Sequence, residues 1–471
     1  MKTLVMKFGG TSVGSVQALN QAAEIVKAQS GHWENLVVVV SAMSGVTNTL
    51  LQCAQAVTQD EPDTYSNLVE ELQAKHIQTV NGLISEPNEK NILVEMIEHL
   101  IQELNIICSS AYVLGEVTPR GVDTICSFGE RMIARIFSGL LRQKGLRSQH
   151  MDATRVIITD SNFQNAHPIQ EITQKQVEKI LVPLLNQGKI AIITGFIAAN
   201  EQGVTTTLGR GGSDYTAAIL GSALDATEVW TWTDVDGVMS ADPRIVSNAQ
   251  VIPELSFNEI GEMAYFGAKV LHPKTIRPII ERNIPLWVKN TFNPTHPGTR
   301  ISQNPPSVPG RITAITTIRN LSIITVAGRG MLGVPGIAAR TFTAVAHQDT
   351  SVLMISQSSS EQSICFVIPT ENAKAVIKAL EEEMALELIR KDIDRVWALD
   401  NVVVLTVIGA GMCETPGVSA RIFGALGMAD INVIAIAQGS SEYSISMVLA
   451  AQDADRAVRQ IHHDIIERGN K

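Results

Sequence analysis

Short apolar runs recur through the first 295 residues, each followed by a polar or glycine-rich turn and then a helical pattern. The runs TLVMKF at 3–8, LVVVVS at 36–41, 189–195 (KIAIITG), 229–233 and IPLWVKN are continuous rather than alternating, as strands covered on both faces must be. A strand-like run is also expected at 155–158. Helical spacing of apolar positions fills the intervals at 15–29, up to about 143 and near 170–186. The stretch from about 49 to 110 reads as an amphipathic helical insertion without chemistry of its own, with Glu70, Glu71 and Glu95 on solvated faces. Strand–helix alternation of this kind predicts a three-layer αβα sandwich on a mainly parallel sheet, spanning 1–300.

The proline-rich stretch 304–309 ends that pattern, and an internal repeat follows. SIITVAGRGMLGVPGIAARTFTAVA at 322–346 matches VVLTVIGAGMCETPGVSARIFGALG at 403–427 with a constant offset of 81 residues. Gln357-Ser-Ser-Ser-Glu361 matches Gln438-Gly-Ser-Ser-Glu442 at the same offset. Each copy reads strand, loop, helix, strand, strand, so two small α/β modules are expected. Gly328-Arg-Gly330-Met-Leu-Gly333 in the first copy fits GxGxxG, with Asp349 about twenty residues on, where a ribose-binding acid stands in dinucleotide sites. The second copy keeps Asp430 but has Glu414 in place of the third glycine, and each module is too small for a dinucleotide-binding domain.

Hydrophobic content of 45% and charged content of 18% describe a globular protein. A formal net charge of −10 argues against a nucleic-acid partner, so anionic ligands must be held by local groups. The five scattered cysteines contain no CxxC pair, which fits a reducing compartment and no zinc site. The start MKTLVMKFGG is too short in its apolar run for a signal peptide, and no stretch reaches membrane-spanning length. A cytoplasmic location without membrane contact is therefore expected.

Two glycine turns carry the candidate chemistry. TTTLGRGGSDYTAA at 205–218 runs from a strand through a turn into a helix. Ser213 and Asp214 are placed to cap that helix, and Arg210 offers a planar fork to a carboxylate or phosphate. Lys7 precedes Gly9-Gly10-Thr11-Ser12 at the end of the first strand, where a lysine should be exposed enough that its loss spares the fold. Both turns aim backbone N–H groups and a helix N-terminus at an anion, although no Walker A sequence is present. Ser41 and Thr47 follow the second strand, where open α/β sheets place ligand contacts. Asp234 and Asp236 resemble the opening of a calcium loop, but the remaining acidic spacing is missing.

Taken together, KFGGTSVGS, SAMSGVTN, SFGER, TTLGRGGSDYTA, WTDVDG, ADPR, FGAKVLHP and the doubled Gln–Ser–Glu module resemble aspartate kinase over nearly the whole chain. The resemblance implies the amino-acid-kinase fold followed by two βαββαβ-type ACT modules. The first would span 311–395, completed by 450–471, and the second 396–449. It implies transfer of the γ-phosphoryl of ATP, with Mg²⁺, to the β-carboxylate of L-aspartate, the first step toward lysine, threonine, methionine and isoleucine. Lys7, Phe8, Gly9 and Gly10 would hold the phosphates, with Asp214 orienting Lys7. Arg210 would take the substrate α-carboxylate and Glu130 its ammonium, while Ser41, Thr47 and Ser213 hold the remaining polar groups. Thr233, Asp234, Met239, Arg244, Lys269 and Val270 would line the nucleotide site. Met239 stands where similar chains often carry Tyr. No metal site built from protein side chains is expected.

A kinase for another carboxylate should lack the ACT pair and FGAKVLHP. A silent amino-acid sensor should have lost Lys7, Arg210 or Asp214, yet all three are present. The chain's end at Lys471 reads against a fused homoserine dehydrogenase. Gln357 and Gln438 offer amides suited to a small hydroxyl amino acid, which points to threonine as effector, with Glu361 or Glu442 keeping lysine open. Paired ACT modules suggest a homodimer or a larger assembly.

Overall fold

The computed structural model describes residues 2–58, 62–268, 271, 273–306, 310–358, 362–412, 414–438 and 443–468. Two compact units emerge. The first comprises 1–238, 251–257 and 270–305, and the second 239–250, 258–269 and 306–471. The boundary expected at 300 is therefore crossed twice, by 239–250 and by 258–269. Ala241 and Val246 explain the first crossing, because their side chains belong to the core of the second ACT-like module.

The sheet of the first unit runs Ser148–Met151, Ile190–Thr194, Asn35–Val40, Thr3–Phe8, Glu228–Thr233 and Leu286–Asn290, all parallel. Thr299–Ser302 then pairs antiparallel and Glu254–Ser256 closes the edge. The edge strand Ser148–Met151 lies upstream of the run expected at 155–158. Those residues instead form a short helical turn at Ala153–Arg155 and the start of strand Ile158–Thr159. A polar sequence, SQHM, can occupy an edge that a buried central strand could not.

Alternation along Thr3–Phe8 fixes the layers. Leu4, Met6 and Phe8 pack into one core with the helices Val16–Gln29 and Phe128–Gln143 and with the helical insertion. Lys7 falls on the other face, where helix Gly212–Ala223 crosses the sheet. Gly221 lets that helix approach, since a Cβ there would lie 2.7 Å from a Val229 methyl.

The second unit is one six-stranded antiparallel sheet in the order Met354–Gln357, Ser363–Pro369, Ile312–Ala327, Arg395–Gly409, Ser444–Ala450, Ala435–Ala437. Its two long central strands serve both modules. Ile324, Val326, Phe366, Leu380, Ile393 and Val396 share the first core. Ile312, Ile315, Val403, Leu405, Ile422 and Met447 share the second. Completion of the first module by 450–471 is corrected here. Helix Ala454–Ile461 and Ile465 pack into the second core, and the start of Ile312–Ala327 supplies that module's remaining strand. The physical reason is continuity: Arg395–Gly409 closes the first module and runs straight on into the second, so the first needs nothing from the C-terminal segment.

The 81-residue offset persists in the backbone. Asp349 and Asp430 both adopt left-handed φ (47° and 53°) just beyond their helices, as do Asn320 and Asn401 in the long strands. The aspartates are therefore helix-exit residues, and the left-handed backbone there accounts for them without a ribose. No helix among the described residues is long and apolar enough to cross a membrane.

Candidate functional site

A cavity of about 710 Å³ opens at the carboxyl ends of the central parallel strands. Its wall includes Lys7, Gly10, Ser41, Thr47, Glu130, Arg210, Ser213 and Asp214. Residues far apart in the chain meet because parallel strands present their following turns on one edge of the sheet.

Lys7 Nζ lies 2.8 Å from Asp214 Oδ1. Lys7 is buried, at 8% exposure, against the expectation of an exposed strand-end lysine. Its position on the face covered by helix Gly212–Ala223 is the cause. That helix is not capped by Ser213 or Asp214: Gly211 takes the cap position with φ 72° and supplies no side-chain cap bond. Ser213 and Asp214 lie within the first turn instead, which frees the Asp214 carboxylate for Lys7. The turn is tight. A Cβ on Gly212 would come within 2.7 Å of the Phe196 ring, and one on Gly195 within 2.5 Å of Ser213 Oγ.

Two helix N-termini converge on the cavity, that of Gly212–Ala223 and that of Val46–Ala56, which holds Thr47 in its first turn after left-handed Gly45. Both favour an anion in a protein whose overall charge does not. Ser44, in the loop between Ser41 and Thr47, donates its N–H to the Gly10 carbonyl at 3.2 Å. Its own carbonyl accepts Lys75 Nζ at 2.7 Å, so the helical insertion supports this loop rather than merely packing beside it.

Glu130 enters from the first turn of Phe128–Gln143. A Cβ on Gly129 would sit 2.8 Å from Ala42 Cβ, so glycine permits the approach by which Glu130 Oε1 accepts the Ala42 N–H at 3.1 Å. Oε2 is buried with no partner in the protein. Burial pushes the carboxyl up to about 8, the Ala42 bond offsetting only part of the effect. An acid in that condition is suited to a cationic ligand. Arg210 is exposed at the mouth.

Other expected residues stand as follows. The Phe8 ring is core, 5.9 Å from Trp232 and stacked on it. The Gly9 N–H is bonded to the Trp232 carbonyl at 3.0 Å and so does not serve a phosphate, while Gly10 lines the cavity. Thr233 ends the strand beside Thr3–Phe8, and its hydroxyl donates to Asp234 at 3.1 Å. Asp236 accepts from the amides of Asn290 and Asn293, which explains it without calcium. Met239 and Arg244 belong to the second unit, and Arg244 is engaged by Asp242 through several bonds. Lys269, Val270, Glu361 and Glu442 lie outside the described residues. Among the described residues, no cluster of three or more His, Cys, Asp or Glu could hold a metal ion.

Cavity residues that sequence reading missed include Asp123, Gln164 and Phe196. Gln164 and Phe196 hold left-handed φ, 69° and 65°, which no residue-type signal reveals. Asp123 is a lone acid in a short helix, a position without any motif.

In the second unit, Gln357 lines a separate pocket of about 310 Å³ at the N-terminus of helix Ile337–Ala346, with Met331, Pro335 and Ile364. Gln438 is exposed just beyond Ala435–Ala437.

Comparison with known proteins agrees with this architecture. The amino acid kinase family model matches residues 2–290, and an ACT domain model matches 324–384 and 405–465. A bifunctional aspartokinase/homoserine dehydrogenase 2 (chloroplastic) of Arabidopsis thaliana is 38% identical over 467 residues, 97% of this chain and 50% of its own length. The chain thus spans about half the length of such bifunctional relatives. Lysine-sensitive aspartokinase 3 of Escherichia coli is 32% identical over 98% of this chain and 99% of its own. The crystal structure of E. coli aspartokinase III in complex with aspartate and ADP superposes with a TM-score of 0.81 at 32% identity, covering 99% of this chain and 100% of that one.

Proposed function

The chain belongs to the amino acid kinase family, among the aspartokinases with paired ACT domains, and on that premise we propose that its cavity transfers the γ-phosphoryl of ATP to the β-carboxylate of L-aspartate. One observation carries this reading. A buried carboxyl with an unpartnered oxygen, Glu130, shares a cavity with Arg210 and with the Lys7–Asp214 pair. An amino-acid head group needs the first two and a moving phosphoryl group needs the third.

The β-carboxylate is already ionised at neutral pH, so no general base is required. Catalysis reduces to alignment and charge. Ser41 follows the strand on one side of Thr3–Phe8, and Thr233 ends and Asp234 follows the strand on the other. With strands roughly 4.8 Å apart, acceptor and nucleotide are brought to opposite sides of Lys7. Lys7 then faces the phosphoryl as it moves between them. Magnesium arrives on the phosphates of ATP as part of the substrate, in keeping with an ion that retains water and uses few protein ligands.

A coupled ADP-release assay across aspartate, glutamate and acetylglutamate tests the reading, with turnover expected on aspartate. Arg210→Lys refines it. The variant keeps the charge and loses the bidentate fork, so the KM for aspartate should rise much more than that for ATP. An equal rise in both constants would reassign Arg210 to the nucleotide.

Threonine is proposed as the feedback effector, with the ACT pair joining two or more chains. The described lining of the Gln357 pocket contains no charged side chain, which suits a short hydroxyl amino acid better than a long cation. Its helix N-terminus suits the carboxylate. Gln357→Ala and Gln438→Ala should raise the threonine concentration needed for inhibition while leaving uninhibited turnover nearly unchanged. A flat threonine titration beside a steep lysine one would transfer the assignment to lysine, the sensitivity named for the E. coli relative.

A further inference from the structure

We propose that Asp123 is a positioning residue that sets the spacing between the two head-group contacts of the acceptor, Glu130 and Arg210. The inference rests on the reading of this cavity as the acceptor site. Asp123 lies in helix Pro119–Cys126 and is 1% exposed. Its carboxylate accepts the Gln164 N–H at 2.9 and 3.1 Å, the Thr207 N–H at 3.0 Å and the Thr207 hydroxyl at 2.8 Å. Every one of these contacts is an incoming donor, and together they offset part of the burial that raises the Asp123 carboxyl.

Three segments are joined by that one group. Its own helix continues through Ser127, whose N–H bonds the Asp123 carbonyl, into the helix that carries Glu130. Thr207 ends the strand Thr205–Thr207, three residues before Arg210. Gln164 is held at φ 69°, and its carbonyl lies 3.1 Å from where a Cβ on Gly209 would sit, so it buttresses the turn that presents Arg210. Asp123 thus ties the ammonium side of the site to the carboxylate side. Recognition of a rigid α-amino acid depends on that separation, and an error of about 1 Å in such a pair costs up to about a hundredfold.

The test is Asp123→Asn in the full chain, assayed with MgATP and aspartate. The amide keeps the shape but turns one acceptor into a donor facing donors. The KM for the acceptor should rise about tenfold or more, with the KM for ATP changed by less than about twofold. Circular dichroism and thermal denaturation report whether the variant folds. If it does not, Thr207→Val carries the test, since it keeps the branched shape and removes one donor. There the acceptor KM should rise roughly two- to fivefold and the ATP KM should stay put. Parallel changes in both constants, loss of kcat alone, or unchanged constants in a folded variant would overturn the proposal. Wild-type turnover is measured first. If it uses another carboxylate in place of aspartate, the reading of the substrate fails, while the selective effect on that acceptor's KM still decides the role of Asp123.

Discussion

Lys7→Ala should lower kcat by two or more orders of magnitude, the size of effect produced when one donor to a developing transition-state charge is removed. The side chain has a fixed direction: it is buried, on the face covered by helix Gly212–Ala223, and anchored 2.8 Å from Asp214. A lysine held in this way faces little reorganisation when charge shifts toward it, which is what separates a preorganised cation from a solvated one. The same geometry alters the expectation for folding. Deleting Lys7 leaves the Asp214 carboxylate partly buried without its partner, so some loss of thermal stability should accompany the loss of rate. Lys7→Ala combined with Asp214→Asn separates the two effects. The double variant should regain melting temperature and stay catalytically poor. Near-normal turnover in either folded protein would remove Lys7 from the phosphoryl site.

The first strand illustrates what the sequence could and could not convey. TLVMKF announces a buried strand through its composition, and period-two alternation assigns Lys7 a face. Which helix covers that face depends on the order of strands in the sheet, a non-local property, so burial of the lysine could not be read from its neighbours. The turn at 209–214 is similar. Its glycines marked a special backbone, yet the cap fell to Gly211 rather than to Ser213 or Asp214, which sets Asp214 in the first turn beside Lys7. The repeat gave both ACT-like modules and their offset directly. It did not reveal that one long strand, Ile312–Ala327, lends half its length to each module, since strand exchange leaves no mark on the repeated stretch itself. Asp123 and Gln164 stayed invisible for a related reason. Their roles are to hold other segments in place, and such work requires no characteristic spacing.

Glu130 carries the other large effect, a pH dependence specific to aspartate. Burial holds its carboxyl proton up to about 8, where an ordinary glutamate releases it near 4.5. The folded protein therefore keeps a proton that the unfolded chain has lost across that interval. Stability of the ligand-free protein should fall as pH rises from about 4.5 to 8 and level off above it. Aspartate reverses the balance, because its ammonium beside the unpartnered Oε2 favours the ionised carboxyl. Binding at neutral pH must then displace a proton. The KM for aspartate should fall with rising pH, by at most about tenfold per unit, and flatten near pH 8, while the KM for ATP follows no such course. Two neighbouring groups are also shifted upward by burial. The Asp123 carboxyl is raised, with the donors from Gln164 and Thr207 working against the shift, and the Cys126 thiol is pushed up to about 12. Glu130→Gln is the decisive comparison. It cannot ionise, so the slope should vanish, and the KM for aspartate above pH 8 should rise about a hundredfold, the loss expected for a buried charge-assisted contact. A Gln variant that retained the wild-type slope would place the titrating group elsewhere in the cavity. One that retained the wild-type KM would take the substrate ammonium away from Glu130 altogether.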